Sequence, residues 1–325
     1  ILEKINLSRP TVESVRYPYE DSQRGQSTDH ESSTTRGSKG FGSTGTLTLT
    51  RPVHATGHKN QMLMDWTDNP YRMDVFPSHW SPETKAYFKD KYRYIPEKFY
   101  SRTRLPVVTP DNVEKFISTH ASIAGLRFQF QEQMSGSGFL STEAYYQGLS
   151  VLFPVDCRYG WDMNCKPHLE KLKKVRHVFQ PYFKWSSPDC SKWSAITNAH
   201  DKDKLQKERD AQYPMLRWLY EDNLYQAQSG FGYGNENGLR SQIFTQSPLK
   251  HNVDIPGNSR QRTDACGHGL EDKHGNPLLK SYRLDSNINL NSSIRICRGH
   301  GVRKHGKLEG EECPRSTVYT RRMVL

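Results

Sequence analysis

The chain has 325 residues and a formal net charge of +11, yet only 34% of its residues are hydrophobic. Ordinary globular domains are roughly 45 to 50% apolar, so this composition, with a mean hydropathy of −0.85, predicts little core. It also excludes a helical membrane span, which needs about 20 consecutive apolar residues.

Residues 21 to 60 are rich in Ser, Thr and Gly, and residues 1–60 are predicted as an extended arm in which only Thr46-Leu47-Thr48-Leu49-Thr50 alternates like a strand. Residues 61–108 form an aromatic and proline-rich segment in which prolines stop helices and central strands. Only Pro82 to Lys91 has room for a helix, with Ser81 as its N-cap. Residues 109–228 are predicted as a small helical module. A helix from Pro110 to about Ala124 places Val113, Phe116 and Ile117 on one face, and residues 126 to 165 read as glycine-punctuated loops. A second helix opens at Pro167, carries Leu169, Leu172, Val175 and Val178 at three-residue spacing, and closes at Pro181. The longest helical signal runs from Ala199 to Gln228 and is kinked or divided at Pro214. Residues 229–325 are predicted as an extended polar tail. The resulting fold class is mostly irregular and extended, with a few short helices, little β structure and no large single core.

Few motifs carry chemistry. Cys266, His268, His274, Cys297, His300, His305 and Cys313 supply enough zinc ligands, but no Cys-x-x-Cys pair is present and the expectation is solvated histidines and inert thiols. Cys157, Cys165 and His168 form a weaker trio. Met134-Ser135-Gly136-Ser137-Gly138 resembles a nucleophile elbow only loosely and reads as a loop, and Phe231-Gly232-Tyr233-Gly234-Asn235-Glu236-Asn237-Gly238 reads as a turn. Glu221-Asp222 reads as part of a solvated helix face. The six cysteines are expected to be reduced thiols of a soluble, cytosolic chain, since Ile1-Leu2-Glu3-Lys4 lacks a signal-peptide core. No cofactor, no metal and no catalytic residue is predicted.

The surplus of positive charge implies an acidic partner, and 17 Tyr, 13 Phe and 6 Trp supply the side chains that dominate interfaces. The expected partner-binding anchors are Trp66, Tyr71, Trp80, Tyr92, Arg93, Tyr94, Phe99, Tyr100, Arg102, Arg104, Tyr319, Arg321 and Arg322. Lys91-Tyr92-Arg93-Tyr94-Ile95-Pro96, Phe99-Tyr100-Ser101-Arg102-Thr103-Arg104-Leu105-Pro106 and Tyr319-Thr320-Arg321-Arg322-Met323-Val324 resemble the short Tyr/Arg/Pro segments of microtubule inner proteins of ciliary and flagellar doublet microtubules. That resemblance implies a non-catalytic structural protein of the axonemal cytoskeleton, bound to tubulin and neighbouring axonemal proteins and to no membrane. The alternatives are a basic RNA-binding protein, with Lys, Arg and Tyr interleaved at 91 to 104 for phosphates and bases, and a zinc module or enzyme built on the C-terminal Cys and His residues.

Overall fold

The computed structural model describes residues 75–92, 107–194, 201–310 and 312–324. Its centre is a five-stranded sheet made of β1 (Phe130–Gln133), β2 (Phe183–Ser186), β3 (Gly232–Gly238), β4 (Ser259–Asp264) and β5 (Ser281–Ser286), in the order β1-β2-β3-β5-β4. β1, β2 and β3 run parallel, in register from Phe130↔Phe183↔Gly232 onward, and β5 returns antiparallel to both β3 and β4. Outside β1, the segment at Val151 and Val155 bridges in parallel to Phe130 and Gln133. This α/β architecture overturns the expected irregular, coreless fold. The segment 229–325, expected as a tail, contributes three strands of the five.

Alternation explains the sheet. Phe183 and Trp185 point to one face, where they lie against the backbone of β3; a Cβ on Gly232 would meet Phe183 at 2.8 Å, and one on Gly234 would meet Trp185 at 2.5 Å. These glycines sit in a central strand because the neighbouring aromatic rings occupy the volume of their missing side chains. Around Phe130, Phe183, Trp185, Tyr282 and Leu284 gather helix α3 (Phe139–Tyr146), Leu149, Val151, Leu270, Leu278, Val318 and Met323.

A second apolar cluster is built by helices α2 (Val113–Ala121), α4 (Lys166–Phe179), α6 (Tyr213–Gln228) and α7 (Ile243–Gln246). α4 follows the predicted pattern through Leu169, Leu172 and Val175, but the next buried position is Phe179, and Val178 is 45% exposed. A strict spacing of three drifts off a face that repeats every 3.6 residues. Pro214 falls in the first turn of α6, so the long predicted helix is divided into α5 (Lys202–Asp210) and α6. Asp201 caps α5 by accepting from the Asp203 and Lys204 amides. The predicted helix at Pro82 is α1 (Pro82–Tyr92). Two short C-terminal helices, α8 (Glu312–Arg315) and α9 (Arg321–Val324), complete the elements used below.

Buried polar groups join sheet to helices. Lys184 of β2 ion-pairs with Asp222 of α6, which also accepts from Arg176 of α4 at 3.2 Å and from Gln133 of β1 at 3.2 Å. Glu221-Asp222 is therefore only half a solvated face: Asp222 is 1% exposed. Among the described residues no helix is long and apolar enough to cross a membrane.

Candidate functional site

Chain order defines a switch point. After β1 the chain passes to the Val151–Val155 edge on one side, then crosses to β2 on the other. Strand order therefore reverses between β1 and β2, and in open α/β sheets ligands bind outside the carboxyl ends of strands at such a point. The expected loop Met134-Ser135-Gly136-Ser137-Gly138 leaves β1 here and enters α3. Met134 has φ 50°, and Gly136 and Gly138 have φ 52° and 65°, so the turn places three positive-φ residues at the switch point.

The loop is held by buried carboxylates. Asp156, just past the Val151–Val155 edge, accepts from the Gly136 amide at 2.9 Å and the Arg158 amide at 3.0 Å, while Arg158 Nη1 donates to the Gly136 carbonyl at 3.1 Å. Glu132 of β1 accepts from the Ser141 amide at 2.8 Å and the Ser141 hydroxyl at 2.7 Å. A helix N-terminus after a glycine-rich turn commonly receives a phosphate, but here a protein carboxylate occupies the first turn of α3. Burial pushes the Glu132 carboxyl up to about 8, against the opposing effect of its Ser141 bonds, and Asp156 adds a further upward push.

One strand over lies a second group of reactive side chains. Glu236 of β3 is buried, and its Oε2 accepts from the Tyr319 hydroxyl at 2.7 Å. That hydroxyl is also 2.6 Å from Ser187 Oγ and accepts from Trp185 Nε1 at 3.1 Å. Burial raises the Glu236 carboxyl above its ordinary range, more than nearby Lys280 and its hydrogen bonds lower it. The chain leaving β2 runs Ser187-Pro188-Asp189-Cys190, and Asn237 Nδ2 donates to the Pro188 carbonyl at 2.7 Å, fastening this loop to β3. Cys190 is a reduced, exposed thiol. Both it and Glu236 act electrostatically on Lys280 and Tyr282, and Cys313 acts on Lys280 as well.

Two ligand clusters occur elsewhere. Cys266, Cys297, His300 and His305 have donor atoms all within 4.8 Å of one another, and so do His79, Cys165 and His168. In the second group Asp162 already engages both histidines: its carboxylate lies 2.9 Å from His79 Nε2, and its amide donates to His168 Nδ1 at 2.9 Å.

No protein-family model and no curated protein sequence matches the chain. Of the expected anchors, Trp66, Tyr71, Arg93, Tyr94, Phe99, Tyr100, Arg102 and Arg104 lie outside the described residues, as do the side chains of Tyr92 and Arg321. Trp80 donates to Asp162 at 2.9 Å and stacks between Phe76 and Phe88. Tyr319 is turned inward onto Glu236, and Arg322 is exposed beside Gly269. The sequence reading missed Glu236 and Cys190. The signal for them was the spacing of a glycine-rich turn after an alternating Leu126-Arg127-Phe128-Gln129-Phe130-Gln131 run, followed by two more strand ends bearing a thiol and an acid.

Proposed function

We propose that the chain is a group-transfer enzyme that moves a methyl group from a sulfonium nucleoside cofactor, of the S-adenosylmethionine type, to a pyrimidine base of a nucleic acid. The observation that carries this reading is that the loop bearing Cys190, after β2, is fastened to β3 beside the buried acid Glu236, next to a switch point whose helix N-terminus is closed by a carboxylate. An anionic dinucleotide would find the Gly136 and Ser141 amides that its pyrophosphate needs already taken by Asp156 and Glu132, whereas a nucleoside without a pyrophosphate does not need them. The cofactor supplies an electrophilic methyl group.

The chain's residues supply the rest. Thiolate addition by Cys190 to the electron-poor C6 of a pyrimidine, with Glu236 giving its proton to the ring nitrogen, makes C5 nucleophilic enough to take the methyl group. The cofactor would depart as the neutral thioether; loss of the C5 proton to solvent with expulsion of the Cys190 thiolate, and return of the ring proton to Glu236, restore base and enzyme. Tyr319 and Ser187 orient the acid, and the Asn237–Pro188 contact fixes the thiol loop against it. A net charge of +11 suits a polyanionic substrate.

The expectation of a non-catalytic microtubule-lining protein rested on the Tyr/Arg/Pro segments and on a chain without a core; the second premise is gone, and most of the residues that carry the first lie outside the described ones. Incubation of the full chain with methyl-labelled S-adenosylmethionine and single-stranded DNA, duplex DNA or RNA should label pyrimidines. Cys190→Ser should abolish transfer, and Glu236→Gln should slow it by about 10² to 10⁴-fold. Undetectable cofactor binding by calorimetry, or transfer unchanged in Cys190→Ser, would refute the reading. Microtubule co-sedimentation without methyl transfer would return the axonemal one.

A further inference from the structure

The β4–β5 hairpin carries a feature that methyl transfer does not require. After β4, the 3₁₀ turn Ala265–His268 presents Cys266, which is 4% exposed. After β5, the chain doubles back so that Asp264 donates its amide to the Arg295 carbonyl at 2.7 Å and accepts from the Cys297 amide at 2.9 Å. Gly267 permits this approach, since a Cβ there would meet the Arg295 Cβ at 2.9 Å. A tight reversal through Gly299 and Gly301, with φ 93° and 65°, brings His300 and His305 to the same place. Cys297 Sγ lies 3.4 Å from His300 Nε2 and 3.4 Å from His305 Nε2, and the two rings are edge to face at 89°.

We propose that Cys266, Cys297, His300 and His305 form a structural zinc site. Zn–S bonds of about 2.3 Å and Zn–N bonds of about 2.0 to 2.1 Å in a tetrahedron place neighbouring ligand atoms about 3.4 to 3.8 Å apart. The observed sulfur–nitrogen separations reach that edge length already. Two thiolates and two imidazoles are the soft and borderline donors that zinc selects over magnesium or calcium. The outer contacts fit as well: the Gly299 amide points at Cys297 Sγ from 3.4 Å, a donor that stabilises a metal-bound thiolate, and Asp264 fixes the Cys297 backbone. Four protein ligands leave no position open for substrate, so the metal's role is to hold structure. What it holds is specific. The turn bearing Cys266 also offers the His268 carbonyl to Thr320 Oγ1 at 2.7 Å, and Thr320 follows Tyr319, the partner of Glu236. The ion therefore clamps the hairpin end on which the C-terminal segment is seated.

The site is tested on the full-length protein by metal analysis and by cobalt substitution. Purified protein should contain about one zinc per chain, and the cobalt form should show the intense visible d–d absorption and thiolate charge-transfer bands of a tetrahedral S2N2 centre. Chelation should lower the melting temperature, and Cys297→Ser and His300→Asn should each lose the zinc. Sub-stoichiometric zinc together with a cobalt spectrum lacking thiolate bands would overturn the proposal. So would zinc retained in Cys297→Ser but lost in Cys165→Ser, which would assign it to the cluster near His79. Should the variants fail to fold, the wild-type zinc content and cobalt spectrum decide alone. Methyl-transfer assays enter none of these readouts, so the two proposals stand or fall separately.

Discussion

Lys184 and Asp222 show how a polar sequence position becomes a structural one. Both side chains are almost fully buried, at 2% and 1% exposure, and burial followed by the charge of Arg176 holds the Lys184 ammonium well below its ordinary range. Asp222 pairs with both Lys184 and Arg176, so removing it strands basic side chains in a low-dielectric layer between sheet and helices. Asp222→Ala should therefore destabilise the fold by about 3 to 5 kcal/mol, read as a shift in the urea midpoint; a shift within experimental error would show that the network is not closed. Glu132 gives a prediction of opposite character. Its carboxyl rises from an ordinary 4.5 to about 8 on burial, so the folded chain binds that proton more tightly than the unfolded one. The group does not weaken the fold below about 4.5, and stability is lost progressively as pH climbs toward 8, because the unfolded chain releases its proton first. Glu132→Gln keeps an acceptor for Ser141 and removes the titration. The difference in melting temperature between wild type and variant should thus change across pH 4.5 to 8 in the variant's favour; a pH-independent difference would contradict a buried, elevated carboxyl.

At the level of single elements, legibility followed period and punctuation. α1, α4 and the division of the long helix near Pro214 were readable because proline and capping residues mark helix starts regardless of what the helix packs against. The strands were not. β1 is only four residues long and polar at Gln131, Glu132 and Gln133, since those side chains make buried hydrogen bonds instead of joining an apolar cluster. β3 reads as a turn because three of its seven residues are glycine. The need for Gly232 and Gly234 is visible only across the sheet, where Phe183 and Trp185 of β2 lie over them. Gly234→Ala places a methyl group 2.5 Å from the Trp185 ring in a strand that also carries Glu236. It should cost about 1 to 3 kcal/mol through overpacking, whereas Gly238→Ala, with nothing within 4 Å of its Cβ, should cost far less. Equal melting temperatures for the two variants would show that β2 does not cover β3 as described.

For the whole molecule, composition misled because a chain average hides how apolar residues are distributed. A hydrophobic fraction of 34% over 325 residues includes the Ser/Thr/Gly-rich first 60 positions, while Trp161, Trp185, Trp193 and Trp218 are all buried in the described part. Each large buried side chain contributes roughly 1.5 to 3 kcal/mol, and aromatics share that burial here with the aliphatics. The site was illegible for a related reason: Glu236, Ser187 and Tyr319 come together only through the parallel order of β2 and β3 and the return of the C-terminal segment. A chain lacking a core would unfold gradually, with each probe reporting its own local change. A sheet with apolar clusters made of residues from distant parts of the sequence has to lose them together. Trp161 and Trp218 belong to the helical cluster, and Trp185 to the cluster around β2 and β5. Urea unfolding of the isolated protein should accordingly give one sigmoidal transition in which tryptophan fluorescence and far-ultraviolet circular dichroism coincide. Two separated fluorescence steps would mean that the clusters on β2 and on α4 and α6 are independent units. A broad, probe-dependent drift would mean that the sheet does not form without a partner, and would return the chain to the borrowed order that its average composition implied.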